Sequence, residues 1–179
     1  GRVGVGLDID PLALKLSRAK TQPLDLDSTR ELGNRVLRQA SELLADQADM
    51  DQRLASAFDE KTKEFIDYWF LERTQRELLA LALTIREMDD LAQRRFLELV
   101  FSSIIVTKSG GVSMARDLAH TRPHLDRRKV PKPALDEYAQ RLNKSLRGMA
   151  GLAETSTPAF IIAGDARAMP LASESVHLV

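Results

Sequence analysis

Short apolar runs near both ends of the chain enclose a long stretch with helical periodicity. Val3, Val5 and Leu7 alternate with small residues, which predicts a short strand. The compact run 159–163 is entirely apolar and predicts a second strand, of the kind buried in a parallel sheet. Another strand is expected to begin at Val176. The pattern therefore predicts an α/β fold in which helices dominate.

The first helix is expected to start at Asp10-Pro11 and to end before Pro23. Aspartate can accept from the free N–H groups of a first turn, and proline suits the first helical position. A second helix, capped by Ser28 or Asp27, is predicted by one apolar stripe. The stripe consists of Leu32, Val36, Leu37, Ala40, Leu43 and Leu44.

The rest of the periodic stretch divides into four parts. Residues 51–64 are polar and weakly patterned, which favours a mobile connection. One long helix is predicted after the aromatic cluster 68–70, and another over 89–106. A last helix is predicted over 134–149, after a glycine-containing loop and a proline-rich stretch.

Composition narrows the classes of function. The 179 residues include 26 basic and 26 acidic side chains, which argues against a generally polybasic nucleic-acid binder but allows a local basic face. The absence of cysteine excludes a disulfide scaffold, a thiolate zinc site and a cysteine nucleophile. No apolar run approaches the roughly 18 residues that span a bilayer, and the first residues lack a signal-peptide layout. We therefore expect a cytoplasmic protein without a membrane partner, and we interpret the chain as a fragment of a longer one.

An acid follows each of the two clearest strands. A carboxylate at the carboxyl end of a parallel strand lies where open α/β sheets bind ligands, so Asp8 could accept from both hydroxyls of a ribose. Asp165 could accept from an exocyclic amino group while a neighbouring N–H donates to a ring nitrogen, which is one way to bind adenine. The alternative is that these acids only cap the turn or helix that follows.

Taken together, these segments resemble a Rossmann-like S-adenosylmethionine-dependent methyltransferase of the DNA amino-methylase type. The matching segments are Gly6-Leu7-Asp8-Ile9-Asp10-Pro11-Leu12-Ala13, Gly164-Asp165-Ala166-Arg167 and the stretch 169–179. In the last of these, His177 stands where the family has an aspartate. The resemblance covers about the first 20 and the last 20 residues and implies a fragment of a Rossmann-like sheet that carries a large, mainly α-helical insertion.

The resemblance implies S-adenosylmethionine as cofactor and a role for four residues. Asp8 would hold the ribose hydroxyls, Ile9 would lie against the adenine, Asp165 would accept from its amino group, and the Ala166 N–H would donate to the ring. Residues 1–23 and 157–179 would belong to the cofactor-binding domain, and 24–156 would form the helical insertion, with a role in target recognition. The family's glycine-rich loop would precede this chain and its Pro-Pro catalytic motif would follow it. No residue is therefore assigned to catalysis, and the chain alone is expected to be inactive.

A basic segment is the second candidate site. From Lys108 to Lys132 the chain carries seven basic and two acidic residues, a net charge of +5. Such a segment suits contacts to DNA phosphates, although a solvated loop between helices is the alternative. Pro123 breaks the helix that would align His120 with His124, so no metal site is expected. The expected DNA contacts are Lys108, Arg116, Arg122, His124, Arg127, Arg128 and Lys129.

The sequence therefore favours a fragment of a site-specific DNA methyltransferase that modifies an exocyclic amino group of adenine or cytosine. An RNA amino-methyltransferase and a non-catalytic helical interaction domain remain open as alternatives. Exposed strand edges would allow two copies of the fragment to pair as a homodimer.

Overall fold

The computed structural model describes residues 3–107, 111–116, 124–152 and 159–177, and within them the fold is mainly helical with a small sheet. The strands are β1 (Gly4–Asp8), β2 (Ala115–Arg116), β3 (His124–Leu125) and β4 (Ala159–Ala163). The helices are α1 (Pro11–Thr21), α2 (Leu26–Leu43), α3 (Gln47–Ala57), α4 (Glu60–Trp69), α5 (Glu72–Arg86), α6 (Leu91–Ile105) and α7 (Ala134–Ala150). The predicted dominance of helices is thereby confirmed.

Aspartate side chains start five of the helices in the described ranges. The helix-capping residues are Asp10, Asp25, Asp46, Asp59 and Asp90. The cap predicted for α2 was wrong, because Asp25 takes this role by accepting from the N–H groups of Asp27 and Ser28 at 3.1 and 3.0 Å. The two residues expected to cap the helix therefore lie within its first turn.

The mobile connection predicted over residues 51–64 is also wrong, since this stretch lies largely within α3 and α4. Each helix is short and buries little: α3 fully buries Met50, and no residue of α4 is fully buried. Almost every residue of 51–64 is exposed, so this stretch lacks the wide apolar stripe of a core-facing helix. The aspartates that cap α3 and α4, Asp46 and Asp59, were the stronger signals.

The hydrophobic core lies among α2, α5, α6 and α7. Helix α7 contributes a row spaced by four residues, in which each member faces inward: Ala134, Tyr138, Leu142 and Leu146. This row meets α2 at Gly33, where an added Cβ would overlap the Leu142 side chain. The missing side chain of Gly33 thus allows α2 and α7 to approach closely.

The principal sheet consists of β1 and β4, which pair in parallel from Gly4 with Ala159 to Asp8 with Ala163. Both strands lie where the apolar runs predicted them. The burial predicted for β4 is wrong, because none of its residues is fully buried and Phe160 is 57% exposed. The strand expected from Val176 does not begin there: Val176 and His177 are not in a strand, and residues 178–179 lie outside the described part.

None of the helices within the described ranges has both the length and the apolarity that are needed to cross a membrane.

Candidate cofactor and nucleic-acid sites

The sheet brings the two predicted acidic positions to the same edge. Asp8 ends β1 and pairs in register with Ala163, the last residue of β4. The N–H of Gly164 donates to the Asp8 carbonyl at 3.0 Å, which holds the two chain segments together just before Asp165. The carboxyl ends of adjacent parallel strands form the edge where open α/β sheets bind ligands.

Asp8 and Asp10 have different tasks. One oxygen of Asp10 accepts from Leu12 and Ala13 N–H at 2.7 and 3.3 Å, so Asp10 caps α1 as predicted. Asp8 instead accepts from the Asp10 N–H through Oδ1 at 2.9 Å. Its Oδ2 has no hydrogen-bond partner within the described residues, and the residue is exposed. Asp8 therefore retains an accessible acceptor at the end of the strand.

Asp165 is engaged by its own turn. Its side chain caps the following single 3-10 turn by accepting from the Arg167 N–H at 2.9 Å. The Arg167 guanidinium also reaches both carboxylate oxygens, with Nε at 3.0 Å from each. These hydrogen bonds, the side-chain pair first, hold the pKa of the Asp165 carboxyl below its usual range. Asp165 therefore caps the turn that follows it, which was the alternative to an adenine contact, and Arg167 is a partner that the sequence did not indicate.

Ile9 and Ala166 complete the group of residues at this edge. The Ile9 side chain is 72% exposed, although it is large and apolar. The Ala166 N–H has no acceptor within the described residues, so it can donate outward. A free carboxylate oxygen, a free N–H and an exposed apolar side chain fit the ribose, the ring nitrogen and the ring face of an adenosine group. Asp165 fits less directly, because Arg167 already occupies its oxygens.

Removing the Arg167 guanidinium tests this arrangement. In Arg167→Ala we expect the pKa of Asp165 to rise part of the way to its usual range, because the backbone N–H of residue 167 still donates to it. In the wild type the pKa of Asp165 is lower in the folded than in the unfolded state, so these hydrogen bonds stabilise the fold above the unfolded-state pKa. This stabilisation is lost as the pH falls through the folded-state pKa. Carboxyl carbon chemical shifts followed by NMR during a pH titration measure this. An unchanged pKa of Asp165 in Arg167→Ala would contradict the prediction. Arg147→Ala, which removes an exposed arginine elsewhere, is the control and should leave this pKa unchanged.

The basic segment is described only in part, since Lys108 and Arg122 lie outside the described residues. Its chain is anchored to the helices: Met114 N–H donates to the Trp69 carbonyl at 2.8 Å, and Asp126 N–H donates to the Met114 carbonyl at 2.9 Å. Gly111 permits this path, because its φ of 72° is unfavourable for other residues and an added Cβ would lie 3.0 Å from the Ile104 carbonyl oxygen.

Two of the expected DNA contacts already have partners within the chain. Arg116 Nε lies 2.9 Å from Asp126, and Lys129 Nζ donates to the Ala115 carbonyl at 2.9 Å. Burial first, and then the charge of Arg116, lower the pKa of Lys129. These interactions connect β2 to the turn that follows β3, so the two cations have a structural task here.

The other described residues among the expected DNA contacts are more accessible. Arg127 and His124 are exposed, and the Arg128 side chain is 95% exposed at 3.9 Å from Asp126. The structure thus leaves Arg127, Arg128 and His124 at the surface, where phosphate contacts are sterically allowed.

A second basic feature was not predicted. A cavity of about 740 Å³ lies beside α7 and is lined by Arg30, Glu137, Gln140, Arg141, Asn143, Lys144 and Arg147. The signal in the sequence was the spacing of Arg141, Lys144 and Arg147 by three residues, in a stretch without acids from 138 to 152. We call this feature the α7 groove.

Comparison of the chain with models of known protein families, with curated proteins and with solved structures found no significant match.

Proposed function

We propose that this chain is part of a site-specific DNA methyltransferase that transfers the methyl group of S-adenosylmethionine to an exocyclic amino group of adenine or cytosine. Residues 1–23 and 157–179 would belong to a Rossmann-like cofactor-binding domain, and 24–156 to a helical insertion that helps to recognise the target. The single observation that carries the proposal is the parallel pairing of β1 with β4, which sets Asp8 and Asp165 at one sheet edge.

Four residues of this chain would hold the adenosine part of the cofactor. The free Oδ2 of Asp8 would accept from a ribose hydroxyl, and Ile9 would cover one face of the adenine. The Ala166 N–H would donate to a ring nitrogen, while Asp165 would accept from the amino group in competition with Arg167. The cofactor supplies a methyl group on a sulfonium sulfur. No residue of this chain is assigned to the transfer, so the chain alone is expected to be inactive.

Substitution of the two acids tests the cofactor site. In the full-length protein, Asp8→Ala and Asp165→Ala are each expected to weaken S-adenosylmethionine binding by about 1–3 kcal/mol, roughly 5–150-fold, because a buried polar group of the ligand loses its partner. Isothermal titration calorimetry measures the affinity. Asp89→Ala, an exposed aspartate outside the sheet, is the control and should leave the affinity unchanged.

The outcomes separate the alternatives. Unchanged affinity in both variants would refute the site and favour a helical interaction domain. If binding is lost as expected, transfer of labelled methyl groups to DNA or to RNA distinguishes the DNA enzyme from an RNA amino-methyltransferase.

A further inference from the structure

The α7 groove concentrates positive charge on a chain with no net charge. Arg141, Lys144 and Arg147 form no salt bridge within the described part of the chain. Lys144 and Arg147 are exposed and Arg141 is half-buried. Three neighbouring cations without a paired acid leave an unbalanced positive surface.

The acidic groups near the groove do not cancel this charge. Glu137 lies 2.8 Å from Lys132, which neutralises it at the end of the groove. On the α2 side, Arg30 lies 2.6 Å from Asp27, so this arginine contributes less than a free cation. Glu137, the acid among the residues that line the groove, thus has its own cation, and the three α7 cations have no ion pair within the described residues.

The shape of the row suits an extended anion. Cations at three-residue intervals on a helix rise by about 4.5 Å per step, so Arg141 and Arg147 are separated by about 9 Å along the axis. This length is that of a few phosphates rather than a single small anion. Gln140 adds an exposed amide that can donate to phosphate or sugar oxygens.

We propose that the α7 groove binds the phosphate backbone of duplex DNA through Arg141, Lys144 and Arg147. The choice of DNA as the polyanion rests on the proposed function, whereas the polyanion chemistry rests on the groove itself. This surface is distinct from the basic segment 108–132, and contacts to the backbone there would position the duplex without reading its sequence.

The dependence of binding on salt tests the proposal. Affinity of the 179-residue chain for a mixed-sequence DNA duplex of about 30 base pairs would be measured by fluorescence anisotropy between about 50 and 200 mM salt. Loss of three phosphate contacts in R141A/K144A/R147A should reduce the slope of log affinity against log salt by about 2.7, at about 0.9 per contact. Over this range the wild type would then lose about 40-fold more affinity than the variant.

A matched control separates local contacts from overall charge. R35A/K61A/R86A removes two arginines and one lysine from exposed helix positions outside the groove, so its net charge equals that of the test variant. Its slope should stay near that of the wild type. The charge-preserving R141K/R147K should also retain the slope, which would exclude a merely structural effect of the arginines. Circular dichroism would establish that every variant is folded.

Three results would overturn the proposal: equal slopes for the test and control variants, no binding of duplex DNA by the wild type, or a slope change seen with duplex RNA but not with DNA. Calorimetry with S-adenosylmethionine on the full-length protein gives an independent readout. Failure of cofactor binding there would refute the proposed function, while an unchanged DNA slope with intact cofactor binding would refute only the groove.

Discussion

Replacement of Leu142 by alanine is expected to lower the free energy of unfolding by about 3 kcal/mol. Leu142 is 1% exposed and packs between α7 and α2, so its loss removes buried apolar surface and leaves a cavity that two long helices cannot easily close. Urea denaturation followed by the helical circular dichroism signal measures the change. The exposed substitution Asn143→Ala, on the neighbouring position, should alter stability by well under about 1 kcal/mol.

A second substitution at the facing position makes this prediction sharper. Gly33→Ala alone is expected to cost about 1 kcal/mol, because its new Cβ would overlap Leu142. In the Leu142→Ala background the overlap is gone, and the same change should stabilise the protein by about 0.5–1 kcal/mol through the higher helix propensity of alanine. The sign of the Gly33→Ala effect thus depends on Leu142. Additive effects of the two substitutions would show that the two residues do not meet as described.

Replacement of Glu77 by alanine is also expected to cost about 3 kcal/mol. Glu77 lies on α5 and is 8% exposed, and its Oε2 accepts from the N–H of Ala134, the first residue of α7. Because α7 follows Pro133, which has no polar side chain, the carboxylate of another helix caps it and meets the positive end of its dipole. Loss of Glu77 would leave that buried N–H without an acceptor. Thermal and urea unfolding would measure the loss.

Two further variants show which contact of Glu77 stabilises the protein. Glu77→Gln keeps an acceptor and should cost only about 1 kcal/mol. Arg73→Ala removes the cation that lies 3.1 Å from Glu77 Oε1, and since Arg73 is 61% exposed its removal should cost less than about 1 kcal/mol. If Arg73→Ala were as damaging as Glu77→Ala, the ion pair rather than the helix cap would be the important contact.

The helices could be predicted from the sequence where they bury a wide stripe. The apolar positions of α2 repeat at helical spacing, and Val36 and Ala40 of that stripe are fully buried. Helices α3 and α4 were missed because they lie at the surface and bury few side chains. The capping residue of α2 was misplaced by two or three positions, since aspartate and serine have similar local signals at a helix start.

The acidic sheet edge followed from two local patterns, an apolar run and then an aspartate, together with the rule that parallel strands end on the same side. The pairing of Asp165 with Arg167 could not be predicted, because it depends on the side-chain conformation within one short turn. The α7 groove was missed for a different reason. Its cations lie beside the buried positions of the same helix in the sequence. The apolar pattern predicts the core-facing side of the helix but does not indicate that these cations share a surface.

The pairing of β1 with β4 also has a kinetic consequence. Gly4 can pair with Ala159 only after the intervening chain has become compact. Closing so long a loop has an entropy cost that arises before the strand contacts can offset it. The helices have local hydrogen bonds and share one core, so they can collapse first. We therefore expect the sheet edge that bears Asp8 and Asp165 to assemble late and to open early. Ligand binding at this edge would fasten the two distant ends of the chain to each other, and its affinity would report on the integrity of the helical part between them.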